Sequence, residues 1–146
     1  MEIIKYKKEY LKDLIEIFVE SFNNSSWHDK WTNEIVYKHL SQLTTTMGFQ
    51  GLIAIEKNQV VGMILGVEHY TFNAKTFIIK EFCMSSMVKG KGFGSKLLDK
   101  FECELKEQGF ENIQLQTLNS PDILGFYEKN GYIEDSLSVY MEKNIY

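Results

Sequence analysis

The residues whose types and spacing could do chemistry begin with Lys89-Gly90-Lys91-Gly92-Phe93-Gly94-Ser95. Three glycines in five positions let a backbone approach a ligand closely and turn its N–H groups toward one point. A helix starting there adds N–H donors that lack intrahelical partners, together with the positive end of its dipole. The sum is an anion site of phosphate size. Lys89, Lys91 and Lys96 add charge without fixing geometry. The plainer alternative is a glycine-rich connection beside solvated lysines, and the motif by itself does not choose between the two.

Two further groups stand out. Glu81 lies mid-strand beside apolar Phe82 and just ahead of the glycines, where desolvation suits a carboxylate to act as a base near neutrality. Strand alternation predicts that it shares a face with Ile79 and Cys83; the alternative is an edge carboxylate facing water or a lysine. The second group is Trp27-His28-Asp29-Lys30-Trp31, two indoles flanking a His and an Asp in a short connection. Either the indoles pin the loop to the core, or they wall a pocket for an acceptor with Asp29 or Glu34 attracting a cation.

These residues need elements to position them. Phe77–Met84 is β-branched and aromatic and reads as a strand, while Leu97, Leu98, Phe101 and Leu105 recur at helical spacing up to a stop at Gly109. Upstream, residues 2–7 read as a short strand, and Leu11, Leu14, Ile15, Phe18, Val19 and Phe22 as one face of a helix. Thr32 caps a second helix carrying Ile35, Val36, Leu40 and Leu43. Phe49–Glu56 and Val60–Tyr70 form a hairpin through Lys57-Asn58-Gln59, so three consecutive strands are expected to be antiparallel. Asn112–Leu118 reads as a strand parallel to Phe77–Met84, joined to it by a right-handed crossover. Ser120 and Pro121 open a last helix that ends at Gly131, and Tyr132–Glu134 and Ser138–Glu142 are expected as two short strands.

Bulk properties bound the rest. With 146 residues, one proline and no repeat or linker, residues 1–146 are expected to form a single domain. A net charge of −4 argues against nucleic acid as a partner, since phosphate neutralisation needs a basic face. Cys83 and Cys103 lack metal-ligand spacing, so we expect no metal and reduced thiols. There is no signal-like start and no run of membrane-spanning length, so a soluble, cytoplasmic protein with no membrane partner is expected.

Among phosphate-binding glycine patterns, the ATP/GTP loop Gly-x-x-x-x-Gly-Lys-Ser/Thr does not occur. The dinucleotide pattern fails as well: Gly90, Gly92 and Gly94 are spaced by two throughout, and the next strand, Asn112–Thr117, carries no acid. Lys89-Gly90-Lys91-Gly92-Phe93-Gly94 instead resembles the acetyl-coenzyme A motif of the GNAT N-acetyltransferase family, Gln or Arg followed by Gly-x-Gly-x-Gly/Ala. Downstream, Asn119 and then Phe126-Tyr127-Glu128-Lys129-Asn130-Gly131-Tyr132 resemble the family's second signature. The order of elements agrees along the whole chain, with the specific matches confined to Phe82–Tyr132. Lys89 replaces the usual Gln or Arg, Ser86 stands where many members have proline, and Met84 where they have valine.

The resemblance implies an α+β, three-layer α/β/α fold with a mixed, mostly antiparallel sheet and one parallel central pair. It implies acetyl transfer from acetyl-coenzyme A to an amine; the aromatic and acidic residues of the Trp27–Trp31 loop suggest a primary amine of a small molecule, aminoglycoside- or polyamine-like. A protein N-terminus or lysine as acceptor, and a non-catalytic coenzyme A-binding module, remain alternatives; a homodimer is compatible with any of these. The backbone from Lys89 to Ser95 (Lys89, Gly90, Lys91, Gly92, Phe93, Gly94, Ser95) would hold the pyrophosphate. Cys83, Met84 and Asn119 would meet the pantetheine arm, and Tyr127 would protonate the leaving thiolate. Glu81 is the candidate base, unless waters carry the amine's proton, and Trp27, Asp29, Trp31 and Glu34 would shape the acceptor site.

Overall fold

The computed structural model describes residues 1–24 and 29–146, in two units, residues 1–116 and 117–146. In the first, β1 (Glu2–Lys5) leads through a 3₁₀ turn into α1 (Leu11–Asn23). Then follow α2 (Asn33–Thr44), β2 (Phe49–Glu56), β3 (Gln59–Tyr70), β4 (Lys75–Met84), α3 (Phe93–Glu107) and β5 (Asn112–Leu115). The strands form one sheet in the order β1-β2-β3-β4-β5, antiparallel throughout except for the parallel β4–β5 pair.

The helical stripes bury as their periodicity dictates. Leu14, Ile17, Phe18 and Phe22 of α1 join Val36, Leu40 and Leu43 of α2 against Ile53, Met63 and Leu65 of the sheet. Ile35, expected on that stripe, is instead half exposed. Thr32 caps α2 as expected, its Oγ1 accepting the Ile35 N–H at 3.2 Å. On the opposite face Phe77 of β4 meets Phe101 of α3 edge-on at 5.2 Å and Phe110 at 5.5 Å. The sheet is thus covered on both faces, giving the three layers of an α/β/α mixed sheet.

One irregularity in β4 matters for function. Leu65 of β3 pairs with Glu81, but the next residue, Gly66, pairs with Ile79. Lys80 is therefore an extra, exposed residue, a β-bulge that resets the alternation of side chains. Before it, Phe77, with Ile79 following at strand spacing, faces α3; after it, Glu81 and Cys83 face α1 and α2. The expectation that Glu81 shares a face with Cys83 holds, and the expectation that it shares one with Ile79 does not.

β5 is shorter than the expected Asn112–Leu118. Its last pair is Ile79↔Leu115, where the bulge begins, while β4 continues along β3 to Met84.

In the second unit, α4 (Pro121–Lys129) starts with proline in its first turn and ends in a turn where Tyr132 N–H donates to Tyr127 O at 3.0 Å. The strands expected at Tyr132–Glu134 and Ser138–Glu142 do not form among the described residues. Ile133, Leu137, Val139, Tyr140 and Met141 are exposed there. Their alternation is strand-like, but without a ladder partner an extended segment leaves its N–H and C=O groups to water.

Candidate active site

The glycine turn is built as its composition requires. Ser85 is buried and its Oγ accepts the Met87 N–H at 3.2 Å, closing a 3₁₀ turn that delivers the chain to Lys89. Gly90 and Gly92 then adopt φ of +76° and +74°, left-handed conformations that side chains disfavour. Gly94 lies inside α3 and needs no such φ, so two of the three glycines carry the turn. Gly92 is the N-cap and offers no side chain to the helix; the ladder begins with Lys96 N–H to Gly92 O at 3.2 Å.

A Cβ placed on Gly90 or Gly92 would meet nothing within 4 Å, so the space over the turn is open. Lys89 and Lys91 are exposed beside it, and Lys96 Nζ sits 5.6 Å from the centre of the Phe93 ring. Open space, helix-start amides and lysines together fit an anionic diphosphate, the part of coenzyme A that the sequence motif implies.

Beyond Ile79↔Leu115, residues Lys80–Met84 of β4 run on without a β5 partner. This opens a strand edge leading from the sheet to the glycine turn. Ser21 of α1 reaches the end of that edge, its hydroxyl donating to Met84 O at 3.2 Å. Cys83 is half-buried with its thiol turned toward the core, and that desolvation pushes the thiol up to about 12, with the Glu81 and Glu20 carboxylates adding to the rise and the Ser21 hydroxyl opposing it. A neutral thiol is no nucleophile at ordinary pH, so Cys83 contributes packing and backbone.

The side chain of Glu81 faces α2. Its Oε1 lies 2.6 Å from Nε2 of His39, with side-chain exposures of 14% and 31%. The His39 ring sits 5.6 Å from both Phe18 and Trp31. Trp31 is fixed in turn: Asn23 accepts its backbone N–H at 2.8 Å and donates to its carbonyl at 2.9 Å, while its indole N–H donates to Asp29 Oδ2 at 3.0 Å. Trp31 therefore pins its end of the loop to the core, with the indole edge-on to Phe18 and tilted against His39.

Glu34 is not gathered into this cluster; it is exposed and pairs with Lys38 at 3.4 Å. Trp27 and His28 lie outside the described residues. Sequence reasoning missed His39. Its signal was its position on α2, beside buried Leu40 and one turn after buried Val36, which puts it on the flank of the stripe that faces the sheet.

In the second unit, Tyr127 is half-buried, with ring contacts to Phe126 at 5.3 Å and Tyr132 at 5.7 Å. Asn119 is exposed just ahead of α4.

With this geometry in view, comparison with known proteins is informative. Residues 11–132 match the profile described as the acetyltransferase (GNAT) family. The uncharacterized protein YxbD of Bacillus subtilis (strain 168) is 35% identical over 85 residues, which are 58% of this chain and 50% of that one. The chain thus spans about half the length of this curated relative. Among solved structures, a possible acetyltransferase from Clostridium difficile 630 superposes with a TM-score of 0.85 at 13% identity, covering 99% of this chain and 98% of the other. An aminoglycoside acetyltransferase from an uncultured soil metagenomic sample, in complex with sisomicin, superposes with a TM-score of 0.76 at 18% identity, covering 99% and 96%. At these identities the superpositions speak to fold, and the match over 11–132 speaks to family: the chain belongs to the acetyltransferase (GNAT) family.

Proposed function

We propose that this chain transfers acetyl from acetyl-coenzyme A to a primary amine of a small molecule. The observation that carries the reading is the unit of β4, the left-handed Gly90–Gly92 turn and α3, which leaves open space over the turn beside the helix start and exposed lysines. The family match runs through both units, which supports reading residues 1–146 as one acetyltransferase domain. Two free cysteines are in keeping with a reducing, cytoplasmic setting.

Acetyl-coenzyme A would bring the activated acyl group. The amides and lysines from Lys89 to Ser95 hold its diphosphate, and the backbone at Cys83 and Met84, with Asn119, meets the pantetheine arm. Glu81 removes a proton from the acceptor ammonium and so frees the lone pair that attacks the carbonyl. Tyr127 returns a proton to the departing thiolate. Trp31 and Asp29 line the acceptor side, and the carboxylates Asp29 and Glu81 favour a cationic acceptor. An aminoglycoside- or polyamine-like amine suits that lining, and the aminoglycoside acetyltransferase of similar fold is consistent with it.

The test is calorimetric titration with acetyl-coenzyme A, with NAD and ATP as controls, followed by thiol release across aminoglycosides, polyamines, a lysine peptide and a peptide N-terminus. Micromolar binding of acetyl-coenzyme A together with turnover of small amines is expected. Binding without turnover of any amine would make the chain a coenzyme A-binding module, and no binding would overturn the assignment of the glycine turn.

A further inference from the structure

His39 has no assigned part in this chemistry, yet it touches the proposed base. At 2.6 Å, Nε2 and Oε1 cannot meet lone pair to lone pair, so a proton lies between them. With Glu81 ionised, that proton sits on the imidazole, and Nε2–H donates a charge-assisted hydrogen bond to the carboxylate. Two rings pack against the partly exposed imidazole, Phe18 on α1 and Trp31, each 5.6 Å away. Trp31 is itself clamped by Asn23 and Asp29. A continuous series of contacts thus runs from Asn23 through Trp31 and His39 to one oxygen of Glu81.

We propose that His39 is a positioning residue for Glu81: by holding Oε1 it fixes the carboxylate so that Oε2 receives the proton of the acceptor amine. The inference rests on the acetyltransferase reading with Glu81 as base. In the step itself an ammonium N–H bond breaks and an O–H bond forms at Oε2, while the nitrogen keeps the electron pair with which it attacks. His39 retains its own Nε2–H, which donates to Oε1 before and after the transfer. Among the described residues, the ionisable groups nearest this pair along β4, α1 and the Trp31 loop have other partners or no charge. Cys83 on β4 carries a neutral thiol, Glu20 on α1 accepts from Ser86, and Asp29 accepts from Trp31.

The test compares His39→Phe, which keeps a ring against Phe18 and Trp31 but removes the donor, with His39→Gln, whose amide N–H can take the place of Nε2–H. Both are measured in the full chain beside Glu81→Gln and the double variant His39→Phe/Glu81→Gln. His39→Phe should lower kcat at least about tenfold with acetyl-coenzyme A affinity by calorimetry unchanged, and His39→Gln should recover most of the loss. The double variant should be no slower than Glu81→Gln, since His39 acts through Glu81. A His39→Phe protein within twofold of the native kcat, losses that multiply in the double variant, or no recovery with Gln would overturn the proposal. Failure of the underlying reading looks different: the native protein itself would turn over no amine, and the inference would fall with it.

Discussion

Ser21, near the end of α1, donates its hydroxyl to the carbonyl of Met84, the last residue of β4, at 3.2 Å. The bond joins residues 63 positions apart and fastens the strand end just before the chain enters the Ser85–Gly92 turn. Cys83 beside it packs half-buried against the same layer, and Glu81 one step further back is held by His39. The last turn of one helix and the middle of the next therefore set the course of the strand edge along which the proposed donor would lie.

The glycine turn is the first place to test. Gly92→Ala should cost about 1 kcal/mol of stability, because alanine is strained at φ +74° although its Cβ meets nothing. Gly92→Glu, which adds a carboxylate where the diphosphate is proposed to sit, should abolish acetyl-coenzyme A binding in calorimetry while the protein still melts cooperatively. Unchanged affinity would remove the turn from the site.

Tyr127→Phe should leave acetyl-coenzyme A affinity nearly intact and slow thiol release by roughly 10²-fold, the scale of losing an acid in the transition state. Native turnover in this variant would show that the thiolate takes its proton elsewhere.

Cys83 predicts a particular alkaline behaviour. Desolvation in the folded protein pushes its thiol up to about 12 from an ordinary value of 9.0. Between those values the unfolded chain has released the proton and the folded chain has not, so rising pH favours unfolding. Stability contributed by this group is fully present below pH 9.0 and falls by up to about 1.4 kcal/mol per pH unit above it. Urea titrations from pH 8 upward should show a shallower decline in Cys83→Ala than in the native protein. Parallel declines would mean the thiol is not shielded. At pH 8 the same thiol should resist iodoacetamide.

Thr32→Ala should destabilise the protein by about 1 kcal/mol, through loss of the hydrogen bond that caps α2. Because α2 carries His39, activity measured below the melting transition gives an independent reading. Retained activity would show that the helix keeps its register without the cap.

Much of this was legible in the sequence because local rules agreed with tertiary demands. Leu14, Phe18 and Phe22 lie on the buried stripe that their spacing predicts, Thr32 caps its helix, and Gly90 and Gly92 take the φ values for which glycine is suited. What escaped was tertiary. Nothing local marks Lys80 as an extra residue, since a bulge is defined by the partner strand. His39 becomes chemically interesting through Glu81, 42 residues away. Tyr132–Glu134 and Ser138–Glu142 have strand-like composition, but composition does not supply a neighbour to pair with.

The bulge at Lys80 also bears on how such a chain can change. Upstream of it β4 answers to the aromatic packing around Phe77, Phe101 and Phe110; downstream it answers to His39 and Ser21. Phe77 and Cys83 lie well apart along the strand and share none of these partners, so substitutions at the two should combine close to additively. One strand thus serves two layers: a change at Glu81 or Cys83 is met by α1 and α2, and a change at Phe77 is met by α3.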